Sequence, residues 1–184
     1  MEYGVVLADG VTYIQAVVDD GTSSDAVLDQ MPPGASIIAV RPSERHVLEG
    51  GQWTAQPESL DEARGRKRAE IDTIADAMMA IGAPYAGYHV AVDASSRANL
   101  TAIAATALAA ISGAMEWPGP YAQGWITSEN VRVPLPSPQD GLTLANSAGE
   151  FYASLVQHKR TLKDAVLAAV TVAEVDAVDV EGGW

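Results

Sequence analysis

The sequence predicts an α+β protein: a small N-terminal β-rich unit of ββαββ pattern over residues 1–57, then a mainly helical domain over residues 58–184 with one or two β-hairpin or strand elements. Three observations predict it. Short β-prone runs separated by Asp9-Gly10 and Gly50-Gly51 fill the chain as far as Gln56. Capping signatures followed by apolar residues at three- and four-residue spacing recur after that point. Pro-rich breaks at Pro57, at Trp117-Pro118-Gly119-Pro120 and from Pro134 to Pro138 separate the segments.

In the first unit, Val5–Leu7 and Val11–Val18 flank Asp9-Gly10, a strong hairpin signal. Thr22 with Asp25 matches the cap of a short helix through Met31, which Pro32-Pro33-Gly34 stops. Ile37, Ile38 and Val40 mark the next strand. His46–Leu48 and Gln52–Ala55, on either side of Glu49-Gly50-Gly51, read as another hairpin.

Beyond Pro57, Ser59 with Glu62 forms a capping box for a helix from Leu60 to Ile81, and Gly82 and Pro84 end it. Ile71, Ile74, Ala75, Met78 and Met79 give that helix an apolar stripe. Tyr85–Val92 alternates and reads as a strand. It leads into the stretch around which the rest is expected to be arranged, Asp93 to Met115. Asp93, Ser95 and Ser96 offer oxygens for capping, and Leu100, Ile103, Leu108, Ile111 and Met115 share one face of a central buried helix. Its remaining positions are mostly Ala, Thr and Ser, which admit close neighbours. Gly124–Thr127 and Val131–Leu135 flank Ser128-Glu129-Asn130 as a hairpin. Helices are expected from Asp140 to Lys159 and from Thr161 to Val170, with a last short one capped by Thr171 and Glu174.

Composition narrows the function. A hydrophobic fraction of 48% with 19% charged residues describes a folded chain. Aromatics make up 6%, so the core must rest on small aliphatic side chains, which gain little per residue from burial and need close approach or a partner surface. A formal charge of −13 makes nucleic acid and anionic lipid poor partners. Two basic clusters, Arg64 to Arg68 and His158 to Lys163, read as solvated faces with ion pairs inside the chain. The absence of cysteine removes disulfides and thiolate chemistry. The N-terminus lacks the pattern of a signal peptide. Between Arg97 and Glu116 there is no charge, yet the polar positions make membrane insertion a poor reading.

No reactive constellation emerges. His46, His89 and His158 lie far apart in sequence, without ligand spacing. Asp19 to Asp25 resembles a calcium loop loosely, but the Gly of the sharp turn is missing and Gln30 stands where a bidentate Glu belongs. Nucleophile elbows, phosphate loops and dinucleotide fingerprints are missing. The expectation is a protein that is not an enzyme, with no cofactor and no metal. The residues left to explain are Trp53, Trp117, Trp125 and Trp184, which pack within the chain or anchor a protein interface. Arg97 joins them as a candidate anchor.

Several short motifs span Leu60 to Trp184: the basic-then-apolar start Arg64 to Ile71, Asp93-x-x-Ser96-Arg97-x-Asn99-Leu100, and Trp125-x-Thr127-x-x-Asn130. Leu162-Lys163, Thr171-x-x-Glu174-Val175, Asp179 and Gly183-Trp184 follow. In order and spacing this part resembles an uncharacterised domain of tailed bacteriophages, found towards the C-terminus of tail-fibre-associated proteins. Glu129 and the Trp117–Pro120 segment depart from that pattern. Gly50-Gly51-Gln52-Trp53 is similar to short Gly-x-x-Trp units upstream in such proteins. The resemblance implies a structural component of the tail, at the tail tip, baseplate or fibre base. It would be made in the host cytoplasm and reside in the virion, bound to other tail proteins or to further copies of itself. Residues 1–57 would be the docking unit. It carries over no catalytic residue. The alternatives are a fibre-assembly chaperone that leaves before maturation and, as a minor one, an enzyme degrading the host envelope.

Overall fold

Capping and turn chemistry set several element boundaries in the computed structural model, which describes residues 2–7, 12–16, 33–34, 36–43, 45–49 and 52–184. The chain divides into two compact units, Met1–Ser59 and Leu60–Trp184.

In the first unit, β1 (Glu2–Val6) lies between β2 (Thr12–Ala16) and β3 (Ser36–Val40), antiparallel to both. The β1–β3 register shifts between Gly4 and Val5. β4 (His46–Glu49) and β5 (Gln52–Ala55) pair as a hairpin. Three strands thus follow residue 35 where ββαββ counts two. Gly4 allows β1 to pass close to that hairpin, because a Cβ there would stand 3.0 Å from Leu48 Cδ1 and 3.4 Å from Trp53 Nε1. The Asp9-Gly10 turn, the helix expected up to Met31 and the loop from Asp19 to Asp25 lie outside the described residues.

The second unit is mixed but mainly helical. α1 (Leu60–Ile81) buries Ile71 and Ala75 of the expected stripe and leaves Ile74, Met78 and Met79 half-buried, while Ala63 and Lys67, about two turns and one turn before Ile71, are buried as well. Tyr85–Val92, expected as one strand, is instead divided by a turn: β6 (Ala83–Tyr85) and β7 (Tyr88–Val90) form a hairpin. The reason lies at Ala86 and Gly87, whose φ angles of 49° and 82° provide the two positive-φ positions of a two-residue turn. α2 (Ala94–Ile111) begins where Asp93 accepts from the backbone N–H groups of Ser95 and Ser96. After the short α3 (Gly119–Ala122), β8 (Trp125–Ile126) and β9 (Arg132–Val133) form the expected hairpin, with Asn130 at φ 58° in its turn.

α4 (Pro138–Ala168) is one continuous helix of 31 residues in place of the two expected. A capping box between Ser137 and Asp140 starts it, and another between Thr171 and Glu174 starts α5 (Val172–Asp176). α4 also contributes fully buried residues to both parts of the core, whereas α1 reaches the first only through the half-buried Met79. Leu144 and Ala148 of α4 join Ala83, Val90, Leu100, Ile103 and Leu135 in one cluster, and its Leu162 and Val166 join Ala63, Ile71, Val175 and Val180 in another. α2 serves only the first. The expected central role therefore belongs to α4. Of the α2 stripe, Leu100 and Ile103 are buried, whereas Leu108, Ile111 and Met115 are 55%, 44% and 44% exposed.

The two basic clusters make ion pairs within the chain. Lys159 and Lys163 both reach Asp72 on α1, at 2.7 and 2.6 Å, and Arg66 reaches Asp176 at 2.6 Å. Arg64 donates to the carbonyls of Leu167 and Ala169, which the end of α4 leaves unbonded.

A candidate protein-binding surface

Aromatic side chains with one polar atom pack well only when that atom finds a partner. The Trp117 indole N–H donates to the Leu135 carbonyl at 2.9 Å, and its ring stacks on Tyr121 with centroids 5.3 Å apart. Trp125 lies half-buried against the first core cluster. Trp184 donates to Val180 at 2.8 Å and meets the His158 ring edge-on at 4.6 Å, while a His158 ring nitrogen bonds the Gly182 carbonyl at 3.0 Å. That contact gives His158 Nε2 the proton, since a carbonyl only accepts. Trp53 is half-buried in the N-terminal unit, with the Arg41 guanidinium 6.0 Å from its ring centroid. All four tryptophans are thus engaged inside their own unit.

Arg97 is placed differently. Its Nη1 donates to the Val92 carbonyl at 2.8 Å, and its guanidinium lies 4.0 Å from the centroid of the Tyr152 ring on α4. Among the described residues it forms no ion pair. It stands at one end of a groove between α2 and α4 of about 250 Å³, lined by Leu100, Thr101, Ala104, Ala145, Asn146, Ala148, Gly149 and Tyr152. The two helices run antiparallel there: Arg97 meets Tyr152, whereas Ile103 approaches Gly141. Arg97, Thr101, Ala104, Leu108 and Ile111 follow one another at four- and three-residue steps, so the exposed Leu108 and Ile111 continue the side of α2 that lines the groove. Tyr152, Gly149 and Ala145 escaped the sequence reading. Their three- and four-residue spacing within Asp140–Lys159 is a signal, but spacing alone does not say which helix faces them.

A second cavity, of about 320 Å³, is lined by Met78, Pro84, Phe151, Ser154, Leu155, His158, Gly183 and Trp184. Elsewhere the polar chemistry ties elements together. Glu129, in the β8–β9 turn, accepts from the His89 backbone N–H at 3.1 Å and lies 2.6 Å from its Nδ1, which holds its carboxyl down to about 2. The hydroxyls of Ser95 and Ser96 hold Asp93 well below the usual carboxylate range. Hydrogen bonds from Lys159 and Lys163 lower Asp72. Each of these three downward shifts has a hydrogen bond as its first cause, whereas burial pushes the Tyr85 hydroxyl up. Among the described residues, no group of three or more His, Asp or Glu could hold a metal ion, and no helix is long and apolar enough to cross a membrane.

No curated protein and no solved structure matches the chain. The region that builds the groove, both core clusters and the Asp72 ion pairs does match a family: residues 62–181, about two-thirds of the sequence, fit the family described as Domain of unknown function (DUF4376), and the chain belongs to it.

Proposed function

We propose that this protein is a structural component of a bacteriophage tail, at the tail tip, baseplate or fibre base, and that it works through contacts with other tail proteins without a chemical step. The tail assignment rests on the motif resemblance between Leu60 and Trp184 described above. The contact role rests on one observation: the apolar α2–α4 groove continues into exposed Leu108 and Ile111. Grouped apolar side chains left in water are a feature of interaction surfaces. The acidic balance of −13 fits protein partners better than nucleic acid.

Peptide mass spectrometry of purified particles tests the reading, with the expectation that peptides of this chain appear at defined stoichiometry. Absence from mature particles, with recovery alongside nascent fibres, would replace it with the assembly-chaperone reading.

A further inference from the structure

We propose that the α2–α4 groove receives an apolar α-helix of another tail protein, which places one Asp or Glu carboxylate on Arg97. This rests on the contact role proposed above and adds the surface, the class of partner and the anchoring pair.

The helical form of the occupant follows from the groove's walls. Both are helices whose mid-segment N–H and C=O groups are bonded within their own turns, so they present no edge for an extended strand. A segment that leaves water there must satisfy its own backbone, and a helix does so. The floor of Ala104, Ala145 and Ala148, with Gly149 beside it, leaves room for the occupant's side chains to descend between the two helices.

Charge then sets the anchor. From Ala98 to Met115 the chain carries no charged residue, so the α2 wall of the groove is neutral beyond Arg97. The Val92 carbonyl and the Tyr152 ring hold that guanidinium still, while its remaining N–H groups form no ion pair among the described residues. Asp93, the nearest acid in sequence, has its oxygens taken by the hydroxyls of Ser95 and Ser96 at 2.6 Å. Lys159, Lys163, Arg160 and Arg66 each hold a carboxylate already. A fixed planar guanidinium at the mouth of an apolar groove matches a carboxylate through paired hydrogen bonds. A second copy of the chain is the poorer occupant, because each copy brings a charge of −13.

The test uses the full chain with Asn146→p-benzoylphenylalanine, a photoreactive probe on the groove rim, produced in phage-infected cells and irradiated there and in purified particles. The expected product is a crosslink to a helical, apolar segment of a tail protein with Asp or Glu within one turn. Arg97→Glu should lower its yield about tenfold or more, and reversing the partner's acid to Lys should restore it; a purely structural Arg97 gives no such rescue. Gly149→Met should block the groove equally without lowering the Tm, since a Cβ there meets nothing within 4 Å.

A groove without crosslinks, a crosslink to a second copy, a segment lacking an acid, or indifference to Gly149→Met would each overturn the inference. If that happens while the chain is present in particles, the groove assignment fails and the tail reading stands. If the crosslink forms in cells but particles lack the chain, the virion reading fails and the groove assignment stands.

Discussion

Gly141 and Gly149 lie about two turns apart on α4, yet the structure predicts opposite responses to the same substitution. At Gly141 a Cβ would come within 2.6 Å of Trp117 Cη2, and that ring is stacked and hydrogen-bonded. Gly141→Ala gains helix propensity, but overpacking costs about 1–3 kcal/mol, so the net effect is a loss of about 1 kcal/mol. At Gly149 nothing lies within 4 Å of the added carbon, and Gly149→Ala should stabilise by about 0.5–1 kcal/mol. Urea unfolding of the two variants checks the signs; two changes of the same sign would contradict the described packing. Glu129 supplies a pH test. Its carboxyl lies at about 2 in the folded protein, below its ordinary 4.5, through bonds to His89. A depressed carboxylate contributes stability above the ordinary value and loses it as pH falls towards the folded one. The Tm should therefore drop between about pH 4.5 and 2, and less steeply in Glu129→Gln. Single residues were legible where the bond is local. The Asp93 cap and the Thr171–Glu174 box need only neighbours in sequence. The Glu129–His89 link spans forty residues, and no local pattern announces it.

The continuity of α4 separates two readings of one segment. The sequence pattern ends one helix at Lys159 and begins the next at Thr161, which puts a break at Arg160. In the structure the Thr161 hydroxyl donates back to the Gln157 carbonyl at 3.0 Å, a bond made inside a helix. Proline distinguishes the two arrangements. At the first position of a new helix it is tolerated, whereas in a helix interior it removes a hydrogen bond and costs about 3 kcal/mol or more. Thr161→Pro should thus lose at least that much in chemical denaturation and weaken the joining of Lys163 to Asp72; a neutral result would mean that the helix breaks there. The β6–β7 hairpin was hidden for a related reason. Its period-two alternation is genuine, but Ala86 in the left-handed region is no usual turn signal. The Asp93 cap of α2 and the Gly82 stop of α1 were readable, whereas α2 ends at Ile111, about one turn short of Met115; whether two adjoining helical runs fuse is decided by tertiary packing.

Which apolar face ends up covered is a property of the assembled unit, and here the sequence pattern went furthest astray. Leu100, Ile103, Leu108, Ile111 and Met115 share a periodicity, yet α4 and its hairpins cover only the first two. The same pattern that builds a core also describes a surface awaiting a partner. Both core clusters draw all their members from Leu60 onward, and α4 joins them. A cooperative unit needs its own core and few dependencies outside it. Residues 60–184 produced alone should therefore unfold in a single cooperative transition and protect the amides of Ile103 and Val166 from exchange as the full chain does. The exposed Leu108 and Ile111 should remain accessible in that fragment, so its binding of an apolar dye should weaken with Leu108→Gln while the unfolding midpoint holds. A fragment that loses protection at Ile103 and Val166 would show that its core is completed by residues 1–59.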